Sequence, residues 1–304
     1  MNTQVRVGSV VLSNPIMTAS GTAGHGVEFA PYAKLADLGA FVVKSLAAFA
    51  WNGNPAPRVH PTPMGMINAV GLQGPGVQAW LRDDLPALLA ANARVVVSIW
   101  GRSVAEYEAA AAALAEVGPQ VVAVEVNLSC PNLEGRTGIF GHDPKLSADV
   151  IRATEICARP RWAKLSPNTD RVVEVAAAVQ QAGAEAVTLI NTLLGMVIDP
   201  RTLRPALGNG GGGLSGRAVH PVAVRTVFDV HSALPELPIV GVGGVASGWD
   251  AAELIVAGAS AVQVGTASFA DPRAPWNILS ELDNWLRERG VQSLSELIGV
   301  GHRP

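Results

Sequence analysis

A closed (β/α)8 barrel is the fold class this sequence predicts, and three observations predict it. Short apolar runs rich in β-branched residues alternate with Ala-rich segments of helical period, the pattern of a parallel sheet with crossover helices. Eight such runs occur within 304 residues, near the roughly 250 residues typical of an eightfold barrel. Polar side chains stand at the ends of these runs, where a barrel keeps its active site.

Taken in order, "VRVGSVVL" (5–12) has the alternation and the central Gly-Ser of a hairpin preceding the barrel. The eight runs follow: "PIMTAS" (15–20), "AFVVKS" (40–45), "RVVVSIW" (94–100), "VVAVEVN" (121–127), "RWAKLS" (161–166), "EAVTLIN" (185–191), "PIVGVGG" (238–244) and "SAVQVGT" (260–266). Between them, "VAEYEAAAAALAEVG" (104–118) and "TDRVVEVAAAVQQAG" (169–183) read as helices that stop at Gly. No linker divides the chain, so residues 1–304 are expected to form one barrel domain. Residues 45–80 and 193–220 break the alternation, are rich in Gly and Pro, and read as long ordered loops on the site face.

Composition excludes several functions. Lys and Arg number 22 against 25 Asp and Glu, a formal net charge of -3, and no basic block could follow a phosphate backbone. Nucleic acid is therefore not expected as a partner. Two cysteines, Cys130 and Cys157, make neither a disulfide framework nor a metal-ligand pair, and the six histidines lack metal-ligand spacing. A reducing cytoplasm and no metal are expected. The apolar runs are short and broken, and the N-terminus lacks a signal-peptide pattern, so no membrane role is expected.

The polar residues at the run ends carry the functional reading. Ser20 follows the first run, Lys44 and Ser45 end the second, Asn127 the fourth, Lys164 the fifth, and Asn191 with Thr192 the sixth. Strand ends are often polar only because they meet water, but two Lys, two Asn and a Cys converging on one rim suggest a site. "GVGGVASG" (241–248) closes the seventh run and opens the helical pattern "WDAAELIVAG", while "VGTASF" closes the eighth. Glycines let backbone N–H groups approach an anion, and loops after strands seven and eight commonly hold phosphate in this fold. A phosphate-bearing ligand is expected, with tight turns lacking a ligand as the alternative. "GNGGGGLSG" (208–216) is weaker evidence and fits a flexible loop equally.

Cys157, inside "LSADVIRATEICAR", reads as a small buried hydrophobe. Cys130, between Ser129 and Pro131 in a loop with Asn127 and Asn132, is open to three readings: nucleophile, general base or buried residue. Its amide and turn neighbours suit placement of a polar substrate, which favours the base.

Eleven segments carry a family resemblance: "NPIMTASGTAGHG", "VVKS", "GNPAPRV", "MGMINAVGLQGPG", "NLSCPN", "FGHDP", "AKLSPN", "LINT", "GGLSG", "GVGGVASG" and "VQVGTA". In this order, across nearly the whole chain, they resemble the catalytic subunits of class 1B dihydroorotate dehydrogenases. The resemblance implies one FMN per chain, surrounded by Ser20, Gly21, Lys44, Ser45, Asn127, Lys164, Ile190, Gly216, Gly243, Gly244, Gly265 and Thr266, with its phosphate on the last four. It implies a pyrimidine substrate held by Lys44, Asn68, Ala69, Val70, Gly71, Leu72, Asn127, Asn132, Asn191 and Thr192, amides being suited to ring carbonyls and N–H groups because each has a donor and an acceptor.

By the same resemblance Cys130 takes the C5 proton of (S)-dihydroorotate while hydride leaves C6 for flavin N5, giving orotate on the route to UMP. Electrons would then reach NAD through a partner subunit carrying FAD and a [2Fe–2S] cluster, for which this chain has no cysteine set. A homodimer within a heterotetramer is implied. Departures from the family pattern are Ser98 where Asn is usual, followed by Trp100 and Arg102, Gly74 for Asn, and Arg217 for Pro. They leave open a fumarate-reducing class 1A-like homodimer or a dihydropyrimidine-type paralogue. Outside the resemblance stand a Schiff-base aldolase using Lys164 or Lys44 and a non-catalytic barrel that binds a phosphorylated ligand.

Overall fold

The computed structural model of the chain describes residues 2–129 and 139–303. All eight runs form strands of one parallel sheet: β3 (Ile16–Thr18), β4 (Phe41–Val42), β7 (Val95–Ile99), β8 (Val121–Asn127), β9 (Arg161–Lys164), β10 (Ala186–Leu189), β13 (Ile239–Val242) and β14 (Ala261–Val264). They neighbour one another in the order β3-β14-β13-β10-β9-β8-β7-β4. The segment 5–12 forms the expected antiparallel hairpin, β1 (Val5–Val7) with β2 (Val10–Leu12).

The seam between β3 and β4 closes the barrel by an unusual route. β4 has only two residues, so there is little backbone ladder. Gly39 N–H donates to Ile16 O at 2.9 Å, and the buried Thr18 side chain does the rest: its hydroxyl accepts from Val42 N–H at 2.8 Å and lies 3.1 Å from Val42 O. One β-branched hydroxyl thus stands in for a missing pair of ladder bonds, satisfying backbone groups that would otherwise be buried unpaired.

Helices cover the outside. They are α1 (Val77–Asp83), α2 (Leu85–Ala90), α3 (Val104–Ala112), α4 (Pro144–Ala153), α5 (Val172–Gln181), α6 (His220–Ala233), α7 (Gly248–Ala257), α8 (Ala267–Ala270) and α9 (Ala274–Glu288). Ser103, Asp143 and Ser247 cap α3, α4 and α7 by accepting first-turn N–H groups. With a helix outside and packed side chains inside, the strands are buried on both faces, which is why "VVVSI" in β7 is apolar almost throughout. The helix α3 is shorter than its Ala-rich pattern predicts. It ends at Ala112, and tighter turns, Leu114 N–H to Ala111 O and Ala115 N–H to Ala112 O, lead on toward Gly118. Cys157 follows α4, is fully buried, and its thiol is pushed up in pKa by that burial, as an inert core residue would be.

The two segments read as loops are more ordered than expected. They supply β5 (Val59–Thr62), β6 (Gly65–Asn68), β11 (Leu193–Gly195) and β12 (Gly212–Ser215), which pair antiparallel in the order β11-β12-β6-β5. The "GGGG" stretch is therefore partly a strand: a side chain at Gly212 would collide with the Asn68 carbonyl, and one at Gly213 with the Thr192 hydroxyl. Glycine is needed there because backbone approaches so closely, not because the segment must bend.

Inside the barrel, one polar cluster interrupts the apolar packing. On β8, Glu125 and Asn127 are two residues apart and share the inward face, so Glu125 lies one layer below the rim. Its Oε2 accepts from Gln263 Nε2 of β14 at 2.7 Å and from Thr188 Oγ1 of β10 at 3.2 Å. Its Oε1 lies 3.6 Å from Lys164 Nζ of β9, an ion-pair distance, and accepts no hydrogen bond among the described residues. The carboxylate is fully enclosed and the lysine nearly so. Removing one partner of such a pair strands the other charge in a dry interior. Glu125→Ala is expected to lower the unfolding free energy by about 3–5 kcal/mol, measured by urea denaturation; a loss under about 1 kcal/mol would mean that Lys164 does not need its carboxylate.

Candidate active site

A cavity of about 840 Å³ opens at the C-terminal ends of the barrel strands, roofed by the β11-β12-β6-β5 sheet. Every described residue expected to face a ligand lines it. Ser20, Gly21, Lys44, Ser45, Asn127, Lys164, Ile190, Asn191 and Thr192 come from the rims of five strands. Gly216, Gly243, Gly244, Gly265 and Thr266 form one end. Asn68, Ala69, Val70, Gly71 and Leu72 come from β6 and the segment after it. Cys130 and Asn132 lie outside the described residues. Ser129, immediately before Cys130, lines the cavity, and its N–H donates to Asn127 Oδ1 at 3.2 Å.

The rim amides are wired together. Asn127 Oδ1 also accepts from Asn191 Nδ2 at 3.1 Å, and Asn127 Nδ2 lies 3.4 Å from Ser45 Oγ. Ser45 Oγ in turn is 2.9 Å from Ser98 Oγ. Below them Tyr107 OH donates to the Asn127 carbonyl at 2.6 Å. Ser98 is fully buried beneath this chain, does not line the cavity, and meets the rim only at Ser45.

Two lysines face the cavity in different states. Lys164 Nζ donates to Ser20 Oγ at 3.1 Å and leans on Glu125, so its charge is counterbalanced from below. Lys44 is half-buried with no carboxylate or hydrogen-bond acceptor on its ammonium among the described residues. Burial holds the Lys44 ammonium below the usual lysine range, and the nearby Arg58 guanidinium adds to the effect. Arg58 itself is spent on structure, donating to the Asn54 carbonyl at 2.6 Å, to the Asn52 carbonyl at 2.9 Å and to Gln73.

The glycine end suits an anion. Gly216, Gly243 and Gly244 have φ of +100°, +139° and +70°, which side chains other than glycine rarely adopt. A Cβ on Gly243 would press on Ala223, and one on Gly244 would meet His220 and the Gly216 carbonyl. The Gly244 N–H donates to no acceptor among the described residues. Thr266 Oγ1 donates to Ser215 Oγ at 2.8 Å, closing the cradle between β12 and β14. On the β3 side of the cradle, a Cβ on Gly21 would meet nothing within 4 Å, so its backbone faces open space. A phosphate-bearing ring system fits this arrangement: donors and tight backbone at one end, cation and amides at the other, and Ala19, Ile190 and Val242 between them.

The lining also holds residues outside the expected ligand set. Asn168 uses all of its amide: Nδ2 donates to Ser166 Oγ and the Thr192 carbonyl, both at 3.0 Å, and Oδ1 accepts from Leu194 N–H at 2.9 Å. It ties the rim after β9 to the roof, and its place in "AKLSPN" was the only signal for it. Arg102 sits over the rings of Phe49 and Trp51 at 4.4 and 5.2 Å and pairs with Glu106 at 2.7 Å. In the sequence it stands out only beside Ser98 and Trp100 as part of a departure from the family pattern, because its aromatic partners come from a segment some 50 residues earlier.

The comparisons with known proteins agree with this geometry. The family model for dihydroorotate dehydrogenase matches residues 2–286. The chain belongs to the dihydroorotate dehydrogenase family. Among its relatives, one from Desulforudis audaxviator is 48% identical over 304 residues, covering 100% of this chain and 98% of its own length. Others from Trichlorobacter lovleyi and Pelobacter propionicus are each 46% identical over 297 residues, covering 97% of both chains. All three are named dihydroorotate dehydrogenase B (NAD(+)), catalytic subunit. Membership in this family of oxidoreductases removes the basis for the aldolase and the non-catalytic barrel. Among the described residues, no helix is long and apolar enough to cross a membrane.

The lowered Lys44 value has a consequence whose sign is fixed. Just below the ordinary lysine pKa the unfolded chain binds more protons than the folded one, so stability rises with pH through that window and the full cost is present below it. Ligand-free Lys44→Met protein is therefore expected to be more stable than the parent at neutral pH, with an advantage that shrinks as pH climbs toward the ordinary lysine value. Urea midpoints across that range test this; an advantage independent of pH would contradict it.

Proposed function

We propose that the cavity binds FMN and oxidises (S)-dihydroorotate to orotate, with Cys130 as the base, in the synthesis of UMP. The observation that carries this reading is the single cavity surface on which a glycine cradle, the Glu125-backed Lys164 and the Asn127–Asn191 amide pair converge. Gly243, Gly244, Gly265 and Thr266 would hold the phosphate, and Ser20, Gly21, Lys44, Ser45, Asn127, Lys164, Ile190 and Gly216 the rest of the flavin. When bound, FMN supplies the acceptor for the hydride that the substrate loses at C6.

The chain's own groups do the remainder. Lys164 sets a positive charge at one edge of the ring, and its own position is held by Glu125 and Ser20. Asn127 is oriented by Tyr107, Ser45 and Asn191 and can offer the substrate an amide without rearranging. Lys44, half-buried and free of a carboxylate partner among the described residues, attracts the substrate carboxylate. Asn68, the backbone of residues 69–72, Asn132, Asn191 and Thr192 complete the substrate pocket. The segment carrying Asn68 belongs to the roof sheet, which keeps bulk water from the reacting carbons. Cys130 Sγ, as thiolate, takes the C5 proton; no metal is needed for this step.

The relatives' shared name, with "catalytic subunit" and "NAD(+)", supports a partner that passes electrons onward. In this reading the partner carries FAD and a [2Fe–2S] cluster, the assembly is a heterotetramer around a homodimer of this chain, and the enzyme works in the cytoplasm. Activity with fumarate and no partner would favour a class 1A-like enzyme instead.

The purified chain is expected to show a flavin absorption spectrum that bleaches on anaerobic addition of dihydroorotate. In Cys130→Ala protein the flavin should remain bound while bleaching slows by roughly 10²-fold or more, the usual worth of a positioned base. A spectrum that stays oxidised in the parent protein would point to a dihydropyrimidine-type substrate, and equal rates in the two proteins would remove Cys130 from the chemistry.

A further inference from the structure

We propose that His220 is a positioning residue for the phosphate cradle, acting through the Gly243 carbonyl; this rests on the FMN reading above. His220 opens α6 and is almost completely buried behind the loop that joins β13 to α7. Its Nδ1 lies 2.8 Å from the carbonyl oxygen of Gly243. A carbonyl can only accept, so Nδ1 carries a hydrogen. Its Nε2 lies 3.2 Å from Glu253 Oε2 and 3.9 Å from Asp250 Oδ1. Both ring nitrogens therefore face oxygen atoms, Nδ1 the Gly243 carbonyl and Nε2 the two carboxyl groups.

The same carboxylates hold the rest of the loop. Asp250 Oδ2 accepts from Ala246 N–H at 2.9 Å, and Asp250 N–H donates to Ser247 Oγ at 3.2 Å. The turn from Gly243 to Gly248 is thus tied down at Gly243 by the ring and at Ala246 and Ser247 by the start of α7. The approach is close enough that a Cβ on Gly244 would stand 2.7 Å from the His220 Cβ.

The consequence for the cradle follows from peptide geometry. In a trans peptide the C=O and N–H point in opposite directions. Holding the Gly243 carbonyl toward His220 therefore turns the Gly244 N–H the other way, toward the cavity that both glycines line. This N–H has no acceptor among the described residues. A donor on the carbonyl polarises the shared peptide and strengthens the N–H as a donor to an anion. His220 itself does not line the cavity, so it acts on the phosphate only through this peptide.

The test separates phosphate binding from general stability by comparing FMN with riboflavin, which lacks the phosphate. The protein is stripped of flavin, and dissociation constants for both are measured by fluorescence quenching for the parent, His220→Ala, His220→Gln and His220→Asn. An Asn amide can occupy the place of Nδ1, whereas a Gln amide reaches the place of Nε2. Ala and Gln variants are expected to lose roughly tenfold or more in FMN affinity, the worth of a hydrogen bond to a charged group. The Asn variant should recover most of it, and riboflavin affinity should be equal in all four. Equal losses for both flavins, or an Asn variant as weak as Ala, would overturn the proposal. A parent that binds FMN no tighter than riboflavin would instead sink the phosphate site itself. If His220→Ala does not fold, Glu253→Ala, at a partly exposed position, replaces it and is expected to weaken FMN selectively by freeing the ring. The ligand atoms of His220, Asp250 and Glu253 lie within 4.8 Å of one another, a spacing that also suits a cation. FMN affinity should survive dialysis against EDTA; a loss restored by zinc would put a metal, not a proton, on Nε2.

Discussion

The buried pair of Glu125 and Lys164 is the constraint on which the rest of this structure depends. A carboxylate at the centre of a barrel is costly unless it is met from several sides, and here β9, β10 and β14 each supply a contact to Glu125 of β8. Those contacts cross the barrel and lock four strands at one depth. Because side chains alternate in and out along a strand, that depth sets which residues reach the rim: Asn127 on β8, and through the Lys164 side chain Ser20 beyond β3. The pair that fixes the packing of the barrel also sets a cation at the cavity wall.

The seam and the roof show how few backbone bonds the fold needs where side chains can substitute. β4 is only two residues long because the chain must leave it at Lys44 to enter the site, and Thr18 supplies the bonds a longer strand would have made. The roof is built from two insertions far apart in sequence, joined where β6 pairs with β12. Asn168 then ties the roof to the rim. The site is thereby enclosed between a rigid barrel mouth and a second small sheet, a more precise support than loops would give.

Much of the fold was legible because its signals are local. Each of the eight runs is a strand, since a run buried on both faces must be apolar and β-branched whatever its neighbours are. The polar rim was legible for the complementary reason: Lys44, Asn127, Lys164 and Asn191 interrupt those runs at their ends. The roof sheet was not, because glycine in β12 is demanded by the nearness of Asn68 and Thr192, and glycine in a sequence reads as a bend. Arg102 was not, because its aromatic partners come from residues 49 and 51. The end of α3 was misplaced for want of any breaker between Ala112 and Gly118.

By itself, then, the sequence determined the number of barrel strands and their order along the chain, the family, and which side chains stand at strand ends, since periodicity and motif spacing are properties of the chain alone. Tertiary structure decided the pairings: which acid lies beneath which lysine, which amide orients Asn127, and that His220 backs the Gly243 carbonyl. Hydrogen bonds and ion pairs depend on distances of a few ångströms between residues such as Ser20 and Lys164, 144 positions apart. No local pattern carries that information, because only the closing of the barrel brings those positions together.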